Sequence, residues 1–306
     1  MASESAEHKR SSPVSDRLHF LLRRLHSLTG ILPIGVFLIA HLVTNSSLAW
    51  GRFGLRGKGE GLTVAEGGVK YFQHEVTYIN ESVPHLLLIE ITLWVSIAFH
   101  SILGIYYATT GRANVARYGY QDNWRYTLQR WSGYIGILFV FYHVATLRWG
   151  WTWLVPGGTK WSHSFSASTL AAAIQGSPEG WTLAGIGVAV LYMLGVTMLV
   201  FHFANGMWTA AITWGLTISA NAQRRWGVAC AGLGAMLMLA AWSSLFAAMT
   251  LDYGEAHAVE RELYVEDHGE AEYEGYIQKK GIPKPAESVR PEEPEGVLTA
   301  LRTEAN

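Results

Sequence analysis

Four histidines lie within long apolar stretches of this 306-residue sequence: His41, His100, His143 and His202. An ionisable side chain inside a segment long enough to cross a membrane is costly in free energy, so each is a candidate functional residue. The interval from His41 to His143 is 102 residues, and so is the interval from His100 to His202. Two equal intervals indicate a two-helix unit that occurs twice, with one histidine on each helix.

The helices that must position these histidines are predicted from the apolar runs. A bilayer core needs about 20 apolar residues, and charged or Gly/Pro-rich loops separate the runs. We predict an all-α membrane protein with five transmembrane helices, at about 27–49, 85–108, 129–153, 181–205 and 226–250. The uncharged stretch continues past residue 205, and we interpret 207–218 as interfacial.

Composition divides the chain into three parts. Residues 1–17 are Ser-rich and charged without a cleavable signal pattern, which predicts a disordered N-terminus. Residues 18–250 form the transmembrane domain and include a Gly-rich connection at 51–83. Residues 251–306 carry fourteen acidic side chains against six basic ones, which predicts a flexible or peripheral acidic tail.

Composition also excludes several classes of function. The formal net charge of −1 is too small to argue for nucleic-acid binding. The single cysteine, Cys230, cannot form an internal disulfide, a covalent haem attachment with two cysteines, an iron–sulfur cluster or a thiolate zinc site. A redox centre on this chain would therefore depend on histidines.

The predicted orientation places the histidines at two depths. Lys and Arg concentrate in the short loops on the N-terminal side, so the N-terminus is predicted to be cytoplasmic and the acidic tail extracytoplasmic. At a rise of about 1.5 Å per residue, His41 and His143 then lie at an outer level, and His100 and His202 at an inner level. Facing imidazoles at two depths suit two stacked b-type haems inside a bundle of the first four helices. Small residues that would leave room for a porphyrin are Gly30, Ser96, Gly104, Gly136 and Gly195.

Recognisable motifs surround these histidines: RRLHSLTG at 23–30, HL at 41–42, His100-x3-Gly104, LQRxSG at 128–133, FYHV at 141–144, FHFxNGxW at 201–208 and TWG at 213–215. In order and spacing they resemble the five-helix, two-haem cytochrome b subunit that anchors succinate dehydrogenases and fumarate reductases in the membrane. The resemblance covers about residues 18–250 and implies that His41 and His143 bind the iron of the distal haem, and His100 and His202 that of the proximal haem.

The resemblance also implies partners and a location. A flavoprotein subunit and an iron–sulfur subunit would dock on the cytoplasmic face of a bacterial cytoplasmic membrane, and this chain would have no dicarboxylate active site of its own. It would carry electrons between the iron–sulfur subunit and a quinone. Some fumarate reductases of this type have a glutamate where Val200 stands, so we favour succinate oxidation with menaquinone reduction. The alternatives are the fumarate-reducing direction, a stand-alone transmembrane cytochrome b, or a transporter with histidine proton relays.

Four further residues are candidates for haem propionate binding. Arg148 lies five residues past His143 and would either pair with a propionate or reach lipid headgroups. Arg24, His26 and Ser27 lie at the inner haem's end, where propionates or a partner subunit would sit. The arginines at this end could equally serve to set the topology.

Three residues near the outer haem are candidates for a quinone site. Glu90 is the only carboxylate inside a predicted span, and it would either donate a proton to the quinone or form a hydrogen bond with a neighbouring helix. His85 and Glu81, at the outer mouth, are weaker candidates for the same site.

Overall fold

The computed structural model describes residues 13–51, 64–110 and 123–285. Within these ranges the chain is all-helical, as predicted, with ten α-helices and no strand. Residues 1–12 of the predicted disordered N-terminus and 286–306 of the acidic tail lie outside them. The helices are α1 Pro13–Ile31, α2 Pro33–Trp50, α3 Val64–Thr77, α4 Leu86–Thr110, α5 Asn123–Leu147, α6 Ser166–Gln175, α7 Leu183–Thr213, α8 Ala220–Thr250, α9 Tyr253–His268 and α10 Glu270–Lys280.

Four segments of the described chain are long and apolar enough to cross a membrane. They are α1–α2 taken together as Asp16–Trp50, α4, α7 and α8. The helix α5 has 25 residues, enough for a bilayer core, but its first half carries Arg125, Gln129 and Arg130 and is less apolar. That α5 spans the membrane therefore stays a prediction.

Three predicted boundaries are wrong. Residues 13–17, predicted to be disordered, already belong to α1. The third predicted span corresponds to α5, which ends at Leu147 and not at 153. The chain is irregular beyond Leu147, and Gly150 adopts a φ of 68°. The fourth predicted span corresponds to α7, which continues to Thr213. It therefore passes the predicted end at 205 and enters the stretch that we interpreted as interfacial. No proline interrupts α7, and the helix ends just before Gly215, whose φ is 73°.

A bend at Pro33 joins α1 to α2. Proline has no backbone N–H to donate and its ring crowds the preceding turn, so a helix bends at such a position. The hydrogen bonds from Leu32 N to Leu28 O, at 2.9 Å, and from Val36 N to Leu32 O, at 3.2 Å, continue the helix on either side. The two helices therefore form one bent segment that brings its first half against α4 and α7.

The long helices α2, α4, α5, α7 and α8 form one bundle, in which α2, α5 and α8 run antiparallel to α4 and α7. At one end of it, the last residues of α2, α5 and α8 lie with the first residues of α4 and α7. The helix predicted as the fifth span, α8, packs against α2 and α7 through a small apolar core, whose buried residues are Leu42, Val200, Phe203, Leu237 and Ala241.

Four shorter helices, α3, α6, α9 and α10, cover that end of the bundle, and we name them the cap. Every residue of α6 is buried. The first amides of α6 have no side-chain cap of their own and bond to other helices instead. Glu260 of α9 accepts a hydrogen bond of 2.6 Å from the N–H of Ala167, and Gln73 of α3 accepts one of 3.0 Å from the N–H of Ser166.

Part of the acidic tail belongs to this cap. We predicted residues 251–306 to be flexible or peripheral, and the segment from Tyr253 to Lys280 forms the two helices α9 and α10. Tyr273 and Ile277 of α10 are buried with Phe165 in a separate apolar cluster. This part of the tail is therefore an ordered covering of the bundle end.

Candidate cofactor site

The bundle brings the four histidines together in the two predicted pairs. The rings of His41 on α2 and His143 on α5 have centroids 5.7 Å apart, at an interplanar angle of 79°. The rings of His100 on α4 and His202 on α7 have centroids 6.1 Å apart, at 82°. We name these the cap-side pair and the far pair, since His41 and His143 lie towards the C-terminal ends of α2 and α5, which the cap covers.

Backbone carbonyl groups orient the far pair. The Nδ1 atom of His100 lies 2.9 Å from the carbonyl oxygen of His26, and that of His202 lies 3.1 Å from the carbonyl oxygen of Gln129. A carbonyl oxygen only accepts, so both rings donate from Nδ1 and keep a lone pair on Nε2. The hydroxyl oxygen of Ser132 lies 3.2 Å from the same Nδ1 of His202. This is the tautomer that a metal-binding imidazole needs.

Side chains orient the cap-side pair. The Nδ1 atom of His143 lies 3.3 Å from the hydroxyl of Tyr192. The amide nitrogen of Asn45 lies 3.3 Å from Nδ1 and 3.4 Å from Nε2 of His41, so it does not select one ring nitrogen. The Asn45 amide also donates a 2.8 Å hydrogen bond to the carbonyl oxygen of His41, one turn earlier. These contacts are longer than those of the far pair, so the cap-side rings are held less firmly.

The paired rings fit a metal held from both sides. Two imidazoles that bind one metal from opposite faces, with metal–nitrogen distances of about 2 Å, have ring centroids roughly 6 Å apart. Both observed separations, 5.7 and 6.1 Å, agree with this value. Within the described residues no cluster of three or more His, Cys, Asp or Glu could hold a metal ion.

The glycines near the histidines have more specific partners than the sequence suggested. A Cβ atom on Gly30 would lie 2.5 Å from Cε1 of His100, and one on Gly133 would lie 3.1 Å from Cε1 of His202. Gly136 and Gly195 instead face Leu199 and Phe139. The absent side chains at 30 and 133 therefore make room for the far-pair rings.

Unpaired polar atoms gather at the far end of the bundle. The Nδ1 of His26, the Nε of Arg24 and the hydroxyl of Tyr107 are each buried without a hydrogen-bond partner in the described chain. His26 also stacks on the His100 ring, with centroids 4.0 Å apart. Buried polar atoms without partners are rare and indicate an unrecorded ligand or water, so they suit the carboxylates of a bound group. Ser27 fits less well, because its hydroxyl donates to the carbonyl oxygen of Arg24 and accepts from Trp214.

Arg148 and Glu90, predicted for different roles, form one ion pair between α5 and α4. Their side chains are 50% and 30% exposed, so the pair lies at the edge of the bundle. This contact is the alternative that we left open for Glu90, a hydrogen bond with a neighbouring helix. It also occupies the guanidinium that we considered for a propionate.

The two remaining quinone-site candidates lie together ahead of α4. Glu81 is exposed within a π-helical turn, Tyr78–Ser82, and His85 is exposed with a φ of 60°. A left-handed backbone at a residue other than glycine is strained, and both this strain and π-turns recur at functional sites. The geometry keeps both residues as candidates but brings neither into contact with the histidine pairs.

Sequence reasoning missed the residues that orient the histidines. Asn45 is four residues after His41, a spacing that predicts contact on a helix. Gln129 and Ser132 belong to the motif LQRxSG, but we assigned them no role. They contact His202, which is 73 and 70 residues away in the sequence. Tyr192 carries no local signal, because its contact with His143 depends on how α7 packs against α5.

One curated protein is similar to this chain over most of its own length. The chain is 33% identical over 212 residues to the cytochrome b558 subunit of succinate dehydrogenase from Bacillus subtilis. The match covers 69% of this chain and 88% of that relative. No family model matches the chain, and no solved structure matches it significantly.

Proposed function

The chain belongs to the family of succinate dehydrogenase cytochrome b subunits, and on that premise we propose that it is the two-haem membrane subunit of a succinate:quinone oxidoreductase. It anchors a flavoprotein subunit and an iron–sulfur subunit to the membrane. It carries electrons between the iron–sulfur subunit and a quinone, with succinate oxidation and menaquinone reduction as the working direction.

A single observation carries the proposal of two haems. The described bundle holds two separate pairs of facing imidazoles, with ring centroids 5.7 and 6.1 Å apart. A transporter with histidine proton relays needs no such pairing, because a relay requires only hydrogen-bonded contact along one path. Two pairs on four helices instead suit two b-type haems, each bound by His41 with His143 or by His100 with His202.

The protein's own residues bind and orient these groups. Haem supplies one-electron redox chemistry when it is bound. His26 O, Gln129 O and Ser132 hold the far-pair rings with Nε2 unprotonated, while Tyr192 and Asn45 hold the cap-side rings. Arg24 and His26, with their unpaired nitrogens, would bind carboxylates at the far end.

The two ends of the bundle have different roles in this proposal. The far end faces the cytoplasm and the iron–sulfur subunit, and the cap faces outwards. The quinone is reduced near the cap, where Glu90, Glu81 and His85 are the candidate residues. Short basic loops at the far end support this orientation, since cytoplasmic loops carry an excess of Lys and Arg.

A redox titration of the purified complex tests the proposal. We expect two low-spin b-type haems per chain that titrate as separate steps, together with flavoprotein and iron–sulfur chains that copurify in mild detergent. Haem without partner chains would favour the stand-alone electron carrier. The absence of haem would exclude both and favour the transporter. Succinate:menaquinone activity compared with menaquinol:fumarate activity would decide the direction.

A further inference from the structure

A polar cavity of about 190 Å³ lies between the bundle and the cap. It opens where the end of α5 meets the end of α10, and the chain just before α6 forms its third wall. Its lining comes from 147–150, 160–163, Tyr276, Lys280 and Ile282. None of the residues that touch the histidine pairs lines it, so it is distinct from the cofactor site.

The lining is positively charged. Arg148, Lys160 and Lys280 all contribute, and no carboxylate is among the described residues that line the cavity. Arg148 is neutralised by Glu90. No ion pair is recorded for Lys160 or Lys280 within the described chain, where the ammonium of Lys280 lies 5.6 Å from the ring centre of Tyr276. The cavity therefore holds two uncompensated positive charges.

Neutral donors complete the lining. The hydroxyls of Ser162 and Tyr276 lie 3.0 Å apart, and either can turn its proton towards the cavity. Burial lowers the pKa of His163, the charges of Lys280 and Arg148 lower it further, and only Glu81 opposes them. His163 is therefore neutral at pH 7 and offers one N–H. Two cations with two free neutral donors, one hydroxyl and the N–H of His163, form a site for an anion with several oxygens.

The cavity opens at the level of the membrane surface. Arg148, which lines the cavity, forms an ion pair with Glu90 near the start of the candidate span α4. Trp149, which also lines the cavity, is 45% exposed and begins a row with Trp151 and Trp153, with ring centroids 5.5 and 5.9 Å apart. Exposed tryptophans in a row at a helix end are typical of the boundary between lipid tails and water.

We propose that this cavity binds the phosphate group of an anionic phospholipid, held by the ammonium groups of Lys160 and Lys280. The headgroup oxygens accept from these lysines and from the one hydroxyl of Ser162 and Tyr276 that does not donate to the other. The acyl chains run down past Trp149 along α5. Basic pockets next to transmembrane helices bind anionic lipids in this way. The proposal is independent of the haems, since it depends only on the cavity and on the membrane level.

Native mass spectrometry of the intact complex tests the proposal. The complex is exchanged into nanodiscs of phosphatidylcholine with or without phosphatidylglycerol, released, and weighed. We expect the unchanged protein to retain one phosphatidylglycerol per chain more than the Lys160→Gln/Lys280→Gln variant. The matched control is Lys279→Gln, which removes the neighbouring charge of α10 outside the cavity and should retain as much lipid as the unchanged protein. Lys160→Arg/Lys280→Arg should restore retention.

Three outcomes would overturn the proposal. The first is equal retention in the double variant and the unchanged protein. The second is displacement of the lipid by excess inorganic phosphate alone, which would assign the cavity to a free anion. The third is loss of a haem band from the double variant with lipid retention unchanged, which would assign the lysines to a haem propionate. An unchanged melting temperature in each variant shows that folding is intact.

Discussion

The histidines of the bundle and Glu260 of the cap are buried polar groups with opposite hydrogen bonding. In the bundle, each of the four histidines has its Nδ1 within hydrogen-bond distance of a neighbour, and the far-pair rings keep a lone pair on Nε2. In the cap, Glu260 is completely buried and accepts from the N–H of Ala167 at 2.6 Å and from the hydroxyl of Ser168 at 2.5 Å. The far-pair rings keep one atom open, whereas both carboxyl oxygens of Glu260 accept hydrogen bonds within the chain.

The difference separates a binding site from a structural contact. A buried group whose hydrogen bonds are all made within the chain stabilises the fold, whereas a buried group with an atom left over suits a ligand. The unpaired nitrogens of Arg24 and His26 place the far end of the bundle in the second class. Five measurements test this contrast.

The largest expected effect is the loss of a haem. His143→Ala removes one imidazole of the cap-side pair, so the haem content should fall from two per chain to one, with the spectrum of the far haem unchanged. A pyridine haemochrome assay with a reduced-minus-oxidised spectrum measures this. His268→Ala, at an exposed position in the cap, is the control. Selective loss of the far haem would show that the pairing is wrong.

Glu260→Ala should weaken the cap and spare the bundle. Two amides and one hydroxyl at the start of α6 would lose their acceptor in a buried site, which costs about 1–3 kcal/mol. We expect faster proteolysis of the cap at an unchanged haem content. Glu266→Ala, on an exposed face of α9, serves as the matched control. If haem were lost in parallel with cap stability, the two regions would not be separable.

The stability of the cap should fall as the pH rises from about 6.5 to about 8. Burial raises the pKa of Glu260 to about 8, so the folded cap holds a proton that the unfolded chain has already lost, and stability declines up to that pH. Burial lowers the pKa of His257 to about 4, which offsets this decline below pH 6.5. The net loss is on the order of 1–2 kcal/mol. Thermal unfolding across this range should show it, and Glu260→Gln should abolish it.

Tyr192→Phe should weaken haem binding more than Ser132→Ala does. The first change removes the hydroxyl next to Nδ1 of His143, whereas His202 keeps the carbonyl oxygen of Gln129 after the second. Loss of an outer hydrogen bond to a metal-binding histidine typically costs about 10-fold in affinity. Haem retention during detergent dilution measures both variants. A larger effect of Ser132→Ala would reverse our ranking of the two pairs.

The smallest effect is expected at the Arg148–Glu90 pair. The two side chains are 50% and 30% exposed, and such pairs contribute about 0–1 kcal/mol. Glu90→Gln should therefore leave both the melting temperature and the rate of quinone reduction nearly unchanged. A ten-fold fall in that rate, at an unchanged haem content, would instead assign Glu90 to proton delivery.

Sequence reasoning was sufficient for the helices and the histidine pairs because both depend on local apolar runs and on one repeated interval. Sequence reasoning failed for the ends of helices, because these ends depend on more than the apolar run. Helix α7 contains no proline and continues past Gly206 to Thr213, and the end of α5 lies close to Gly150 rather than where the apolar run ends.

Contacts between distant residues could not be predicted at all. The ion pair of Arg148 with Glu90 joins positions 58 residues apart, and the contact of Tyr192 with His143 joins positions 49 apart. Neither separation matches the spacing of neighbours on one helix or the repeated interval of 102 residues. The cap was missed for the same reason, since its acidic helices have the composition of a solvated tail and only their partners bury them.

The bond between Glu260 and Ser168 spans 92 residues, and it has a consequence for biosynthesis. When α6 leaves the ribosome, Glu260 has not yet been translated, so the amides of α6 still lack the carboxyl group that accepts from them. The nascent chain must insert α7 and α8 before α9 can arrive, so closing the bundle end is a late event in maturation. A polypeptide truncated before residue 260 would keep its membrane helices but would expose α6, and a quality-control protease could recognise it there.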